Sequence, residues 1–228
     1  MKISPLVDEA MERSSEPLRL GIMGGTFDPI HFGHLICAEQ AREQFELDWV
    51  VFMPTGNPVF KMDRKVSDAE HRYNMVVAAT HRNPRFDVSR MEIDRGGATY
   101  TYDTLKAFNE LTPPGTQLFF ITGADAIGSV LKWRNADKML EMAHFVAATR
   151  PGYDLTHLHD SIPDNGELPS SITFFEVPGL AISSTDLRRR VSEGKSIAYM
   201  TQLSVADYIK EHHLYEPEQP SPEDGEGR

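Results

Sequence analysis

Short apolar segments alternate along this chain with segments whose apolar residues recur at helical spacing. Residues 18–23, 49–53 and 117–122 have the pattern of buried strands, and each is followed by glycine or proline. Strands that alternate with helices form a mostly parallel, twisted sheet with helices on both faces. The sequence therefore predicts a Rossmann-like, doubly wound α/β fold.

Ligands of doubly wound sheets bind beyond the carboxyl ends of the strands. The loops that begin at Gly24, Pro54, Gly123 and Arg150 are therefore expected to share one functional edge. Residues 86–93 alternate between apolar and polar side chains, which predicts a further strand.

The 228 residues fit one domain, which we expect to span residues 18–215. Residues 1–17 are polar and acidic and lack the apolar core of a secretory signal, so they are expected to form a flexible N-terminal extension. Residues 216–228 are rich in proline, glutamate and glycine, which predicts a disordered acidic tail. No apolar stretch approaches the length of a membrane-spanning helix, so no membrane partner is expected.

Acidic residues outnumber basic ones, and the formal net charge of -11 disfavours extended binding to nucleic acid. A small phosphate ligand is compatible with this charge, because a few cations and backbone N–H groups hold one. The single cysteine, Cys37, excludes an intrachain disulfide and suits a cytoplasmic location. Its apolar surroundings predict a buried side chain rather than a nucleophile. The sequence leaves the oligomeric state open, a homo-oligomer included.

The segment Gly-Gly-Thr-Phe-Asp-Pro-Ile-His-Phe-Gly-His, residues 24–34, lies between a predicted strand and a predicted helix. Its glycines allow the backbone to approach a ligand closely, and the N-terminus of the helix favours an anion. His31 and His34 are three residues apart, so a helix would present both on one face. This combination predicts a phosphate site. Neither a cysteine ligand nor a third histidine lies nearby to complete a zinc site, so no protein-ligated metal is predicted.

A second candidate anion site is the segment Ile-Ser-Ser-Thr-Asp-Leu-Arg, residues 182–188. Ser183, Ser184 or Thr185 can cap the helix that starts here, and Arg188 follows about one turn later, where a guanidinium can bind phosphate. Taken alone, the segment is equally compatible with an ordinary capped surface helix that carries solvated arginines. Neither segment is a Walker loop or a dinucleotide fingerprint, because the G-K-[ST] and G-x-G-x-x-G patterns are missing.

The first segment resembles the T-x-x-H/H-x-G-H site, and the second the I-S-S-T-x-x-R motif, of the nucleotidyltransferase superfamily related to class I aminoacyl-tRNA synthetases. Within this superfamily the chain is most similar to the bacterial nicotinate-mononucleotide adenylyltransferases. The resemblance runs from residue 18 to residue 215 and includes Gly-Ala-Thr-Tyr-Thr at 97–101, Gly-Ala-Asp at 123–125, Trp133 and Leu-Tyr at 214–215.

This resemblance implies adenylyl transfer from ATP to nicotinate mononucleotide in NAD biosynthesis. The mononucleotide phosphate would attack the α-phosphate of ATP in line, which gives nicotinate adenine dinucleotide and pyrophosphate. It also implies that Mg²⁺ accompanies ATP, bridging the triphosphate oxygens without a dedicated protein cage.

The same resemblance assigns roles by position. The residues expected to be catalytic are His31, His34 and Arg188. The residues expected to bind ATP are Gly24, Gly25, Thr26, Phe27, Gly33, His34, Gly123, Asp125, Ile182, Ser183, Ser184 and Arg188. Those expected to bind nicotinate mononucleotide are Lys61, Tyr100, Thr101 and Trp133. One departure is Phe60, which stands where family members often carry a histidine before the lysine.

Two of these assignments have an alternative. Trp133 is either a ring that stacks on the pyridine or a core residue, and its neighbours Lys132 and Arg134 favour stacking from a surface loop. Asp125 is either a ligand of the ATP ribose or a helix cap. For the whole chain, the alternatives are a pantetheine-phosphate adenylyltransferase, a cytidylyltransferase, and a non-catalytic nucleotide-binding module on this fold.

Overall fold

The computed structural model describes residues 2–57, 66–152 and 168–217. Its strands are β1 (Arg19–Gly25), β2 (Trp49–Pro54), β3 (Phe86–Val88), β4 (Gln117–Gly123), β5 (His144–Thr149) and β6 (Ile172–Glu176). Its helices are α1 (Pro5–Arg13), α2 (Phe32–Gln44), α3 (Ala69–Thr80), α4 (Met91–Arg95), α5 (Thr101–Leu111), α6 (Ala124–Val130), α7 (Ala136–Met142), α8 (Ser184–Ser192) and α9 (Leu203–Glu211).

The described strands form a single sheet in the order β3-β2-β1-β4-β5-β6, and each pairing is parallel. The chain winds outward from β1 in one direction and then crosses to β4 and winds outward in the other. The boundary between β1 and β4 is therefore the point where the strand order reverses, and ligands of such sheets bind there. This confirms the predicted doubly wound α/β fold.

Side chains of successive strand residues enter two separate hydrophobic clusters, one on each face of the sheet. In β2, for example, Val50 and Phe52 share a cluster with residues of α2, α3 and α9, whereas Val51 and Met53 share one with residues of α1, α5 and α6. The alternation follows from the two-residue period of a strand. Because both faces are covered by helices, the central strands are mostly apolar rather than alternately polar.

The expectation of a flexible N-terminal extension over residues 1–17 is wrong for most of that segment. Residues 5–13 form helix α1, and the side chains of Ile3 and Val7 are 1% and 0% exposed in the core. The backbone N–H groups of Leu6 and Val7 donate hydrogen bonds of 2.7 and 3.2 Å to Oδ2 of Asp87 in β3. Helix α1 therefore covers the edge strand, and the carboxylate of Asp87 satisfies the first N–H groups of the helix.

The strand expected over residues 86–93 is shorter than predicted. Only Phe86–Val88 pair with β2, and the chain then turns into the short helix α4. The hydroxyl oxygen of Ser89 accepts a 3.2 Å hydrogen bond from the backbone N–H of Met91 and so begins the turn. The predicted tail lies outside the described residues, apart from its first two positions. No helix in the described ranges is long and apolar enough to cross a membrane.

Candidate active site

A cavity of about 610 Å³ lies at the carboxyl ends of β1, β4 and β5, and we call it the nucleotide cavity. It is lined by His31, which was predicted to be catalytic, and by seven of the residues predicted to bind ATP: Gly24, Gly33, His34, Gly123, Asp125, Ile182 and Ser183. The fold thus brings the two predicted phosphate segments to one place, although about 150 residues separate them in the chain. Their contact with ATP remains a prediction.

The two histidines of the first segment lie against each other at the start of α2. Their rings are stacked, with centroids 3.8 Å apart and planes inclined by 23°. Nδ1 of His34 accepts a 3.3 Å hydrogen bond from the backbone N–H of His31. Gly33 leaves room for this arrangement, because a Cβ atom there would lie 3.0 Å from the His31 ring. The glycine between the histidines is therefore required by packing as well as by access to a ligand.

His31 is 7% exposed, and burial lowers its pKa to about 4. The ring is therefore neutral at physiological pH. Its Nδ1 atom is buried and has no hydrogen-bond partner within the part of the chain that the structure describes. A buried polar atom without a partner destabilises a protein unless a ligand or water satisfies it. His31 is therefore suited to form a neutral hydrogen bond with a ligand in the nucleotide cavity.

Arg188 is held against the loop that follows β1. Its Nη1 atom donates a 2.6 Å hydrogen bond to the backbone carbonyl of Asp28, and Nη2 donates one of 3.1 Å to Oγ1 of Thr185. The Asp28 side chain is 1% exposed, and its Oδ1 atom accepts a 2.7 Å hydrogen bond from the hydroxyl group of Tyr215. The guanidinium, the loop and the end of the described chain therefore form one network. Asp28 and Tyr215 received no role from the sequence.

Two serines connect helix α8 to the site. Oγ of Ser183 accepts a 3.1 Å hydrogen bond from the backbone N–H of Asp186, which confirms the predicted cap. The hydroxyl group of Ser184 donates a 2.8 Å hydrogen bond to the backbone carbonyl of Pro29. The start of α8 is therefore fixed to the loop that follows β1 rather than free in solvent. We call this loop the phosphate loop, because it lies in the segment 24–34 that is predicted to bind phosphate.

A second cavity, of about 510 Å³, lies beside the first, and we call it the acceptor cavity. Tyr100, Thr101 and Trp133, which are three of the four residues predicted to bind the mononucleotide, line it together. Trp133 is half-buried between the exposed residues Lys132 and Arg134, so it is not a fully buried core residue, and its stacking on a pyridine ring remains a prediction. The fourth predicted residue, Lys61, lies outside the described residues.

The two cavities meet at the end of β1. Gly24 lines both, and Gly25 and Thr26 line the acceptor cavity only. Two of these three positions are glycines. At Gly25 a side chain would not fit, because a Cβ atom would lie 2.9 Å from the Phe27 ring. The wall between the cavities is therefore backbone, which lets two ligands approach each other closely.

Glu92 is a buried carboxyl group in the wall of the acceptor cavity that sequence reasoning missed. It is 7% exposed, and its Oε1 atom accepts a 2.7 Å hydrogen bond from the hydroxyl group of Thr104. Burial raises the pKa of Glu92 to about 7. The sequence offered little signal for it, because glutamate at a helix start is common on protein surfaces.

Of three further residues named from the sequence, only Phe27 has a different environment from the one expected. Phe27 is 2% exposed, with its ring edge against His34 at 5.1 Å, so its side chain supports a histidine instead of lining either cavity. Asp125 lies in the first turn of α6, whose N-cap is Gly123, so the alternative that Asp125 is the cap is wrong. Cys37 is buried as predicted, and burial raises its pKa to about 12, which excludes a reactive thiolate at neutral pH.

Among residues 2–57, 66–152 and 168–217, no group of three or more histidine, cysteine, aspartate and glutamate side chains is arranged to hold a metal ion. The carboxylate of Asp28 is occupied by Tyr215 and lies 4.0 Å from Arg188.

The sequence matches the cytidylyltransferase-like family over residues 22–190, so the chain belongs to a nucleotidyltransferase family. It is 50% identical over 210 residues to a protein of Thermoanaerobacter sp. (strain X514) named a probable nicotinate-nucleotide adenylyltransferase, a match that covers 92% of this chain and 98% of the relative. A relative of the same name from Mycobacterium sp. (strain KMS) is 52% identical over 202 residues, which are 88% of this chain and 98% of that one. The chain belongs to the nicotinate-nucleotide adenylyltransferase family.

The fold is also that of a solved member of this class. The structure of Plasmodium falciparum nicotinic acid mononucleotide adenylyltransferase complexed with NaAD superimposes with a TM-score of 0.67 at 22% identity. The match covers 87% of this chain and 97% of the other. At this identity the likeness concerns the fold, and the predicted family membership is confirmed by the sequence relatives.

Proposed function

We propose that this protein transfers the adenylyl group of ATP to nicotinate mononucleotide, which yields nicotinate adenine dinucleotide and pyrophosphate for NAD biosynthesis. The observation that carries this proposal is the shared backbone wall at Gly24, with seven of the predicted ATP residues around the nucleotide cavity and three of the four predicted acceptor residues around the acceptor cavity. A transfer between two bound substrates requires such adjacent sites, because alignment supplies a large part of the rate enhancement.

Adenylyl transfer between the two cavities needs no covalent intermediate with the protein. An oxygen of the mononucleotide phosphate attacks the α-phosphorus of ATP, the bond to the β-phosphate oxygen breaks, and pyrophosphate leaves. His31 and His34, at the start of α2, hold the α-phosphate through hydrogen bonds, and Arg188 stabilises the charge that develops. Mg²⁺ enters as part of the substrate and neutralises the triphosphate.

The acceptor cavity suits a ring that bears a carboxylate. Helix α5 begins in its wall at Thr101, and the N-cap residue Tyr100 makes no side-chain hydrogen bond to the helix. The first N–H groups of α5 are therefore suited to an anion, whereas an amide would present its own N–H groups to them. Trp133 offers an aromatic face for stacking on the pyridine. We infer a preference for nicotinate mononucleotide over its amide.

The test is a coupled assay of pyrophosphate release with ATP and each of three acceptors: nicotinate mononucleotide, its amide and phosphopantetheine. We expect release with the nicotinate compound, and much less with the amide. Activity with phosphopantetheine alone would identify a pantetheine-phosphate enzyme instead. ATP binding, seen as a raised melting temperature, without pyrophosphate release from any acceptor would identify a non-catalytic nucleotide-binding module.

A further inference from the structure

Arg72, in helix α3, is 1% exposed and binds three backbone carbonyl groups at once. Its Nε atom donates a 2.9 Å hydrogen bond to the carbonyl of Ser67. Nη1 donates one of 3.0 Å to Thr26, and Nη2 donates one of 3.0 Å to Gly56. Its side chain therefore connects three separate segments of the chain: the one before α3, the loop after β1 and the loop after β2.

Two of these carbonyls belong to the loops that build the acceptor cavity. Thr26 follows β1 and lines the cavity directly. Gly56 follows β2 next to Thr55, which also lines it. Gly56 packs so tightly on α4 that a Cβ atom there would lie 2.4 Å from the carbonyl oxygen of Glu92, another residue of the cavity wall. A shift of Gly56 would therefore displace both sides of the acceptor cavity.

Only arginine can make this set of contacts. The guanidinium is planar and directs its donors in fixed directions, whereas the lysine ammonium is a compact group that concentrates its donors at one point. Burial lowers the pKa of Arg72, and the nearby negative charge of Asp28 opposes that shift. The side chain stays charged because arginine does not lose its proton in proteins. A buried charge with three carbonyl acceptors is rigidly placed.

We propose that Arg72 is a positioning residue that holds the loop after β1 and the loop after β2 in the arrangement that forms the acceptor cavity. The inference rests on the proposed function, because it concerns the binding of the mononucleotide acceptor. Arg72 does not line either cavity and acts through the backbone of Thr26 and Gly56.

The decisive variant is Arg72→Lys, which keeps the charge and cannot keep all three hydrogen bonds. We expect KM for nicotinate mononucleotide to rise about 10-fold or more, because small displacements of a binding site reduce rates by up to about 10²-fold. KM for ATP should change less, since only one of the two loops that Arg72 holds, the loop after β1, contributes to the nucleotide cavity, and the loop after β2 does not. The dissociation constant for the mononucleotide, measured by calorimetry with a nonhydrolysable ATP analogue present, should rise with its KM.

Arg19→Lys is the matched control. Arg19 also donates to a backbone carbonyl through Nε and Nη2, at 3.2 and 2.9 Å from the oxygen of Phe45. It lies at the amino end of β1, on the opposite edge of the sheet from both cavities. We expect this variant to leave both KM values unchanged. A variant that merely loosened the fold would affect the two substrates alike.

Chemical rescue supplies a second readout if the lysine variant folds poorly. We expect millimolar methylguanidinium to restore acceptor binding to Arg72→Ala, and methylammonium to fail, because only the first has the planar donor set. Equal changes in both KM values, or wild-type acceptor affinity in Arg72→Lys, would overturn the inference. If the wild-type protein bound both ligands without releasing pyrophosphate, the proposed function would be contradicted instead. Comparing the dissociation constant for the mononucleotide in the wild type and in Arg72→Lys would still test the role of Arg72.

Discussion

The hydroxyl group of Tyr215 donates a 2.7 Å hydrogen bond to Oδ1 of Asp28, a residue 187 positions earlier in the chain. Burial raises the pKa of Tyr215, so the hydroxyl keeps its proton and donates at any working pH. Asp28 also accepts from Arg188 through its backbone carbonyl. The segment after α9 therefore fixes the phosphate loop and, through the loop, the guanidinium that is expected to contact phosphate.

Tyr215→Phe should lower both stability and activity. It removes the donor to a carboxylate that is 1% exposed, and such a loss reduces the free energy of unfolding by about 1–3 kcal/mol. We expect kcat/KM for ATP to fall as well, because Arg188 loses part of its support. Urea unfolding and steady-state kinetics measure the two effects. Tyr208→Phe is the control, since the Tyr208 hydroxyl bonds only surface partners on α3, at His71 and Asn74, and should leave the kinetics unchanged.

His31 makes stability depend on pH. Burial lowers its pKa in the folded state to about 4 from the usual 6.5 of histidine, so between these pH values the unfolded chain binds a proton and the folded chain does not. Its contribution is present in full above about pH 6.5 and is lost as the pH falls to about 4, a total of about 3 kcal/mol. The measurement is urea unfolding of His31→Gln and the wild type at pH 4.5, 5.5 and 7. It gives the slope of the free energy of unfolding against pH for each protein.

The expected result for His31→Gln is a shallower fall in stability towards low pH than in the wild type. His81→Gln, at an exposed position that ends α3, should leave the slope as it is. Identical slopes for the wild type and His31→Gln would show that the folded protein takes up the proton at His31 as readily as the unfolded chain does.

Arg188→Lys should impair the handling of ATP and spare the acceptor. Lysine keeps the charge and loses the fork that reaches both the Asp28 carbonyl and Thr185. We expect kcat/KM for ATP to fall by about 10-fold or more, the value of a hydrogen bond to a charged group. Arg190→Lys on the same helix, whose Nε donates to Ser196, is the control. A change confined to KM for the mononucleotide would contradict this assignment, because Arg188 would then serve the acceptor rather than ATP.

Trp133→Ala should weaken the nicotinate acceptor and its amide by the same factor. Stacking on an aromatic ring contributes about 1–3 kcal/mol and does not distinguish acid from amide. The wild-type preference for the acid, which we expect on the order of 10²–10³ in kcat/KM, should therefore persist. Trp49→Ala, at the amino end of β2, is the control. Loss of the preference in Trp133→Ala would assign selectivity to the indole rather than to the start of α5.

Local features of the sequence were enough to predict the parallel sheet and the loop that follows β1. Strand and helix periods are visible within short windows because packing on one face imposes them on neighbouring residues. The glycine turn and the paired histidines occupy eleven consecutive positions, so their proximity did not depend on the rest of the fold. The acceptor residues Tyr100 and Trp133 came from family resemblance, and the structure then brought them into one cavity.

The tertiary structure alone decided which polar residues serve the site from a distance. Arg72, Glu92 and Tyr215 look like ordinary charged or polar positions, because burial and partners far along the chain give them their roles. Helix α1 was missed for the same reason, since Val7 is its one buried residue and Met11 is only partly buried against the core. A buried hydrogen bond between distant residues exists only once the chain has folded, so no sequence window contains it.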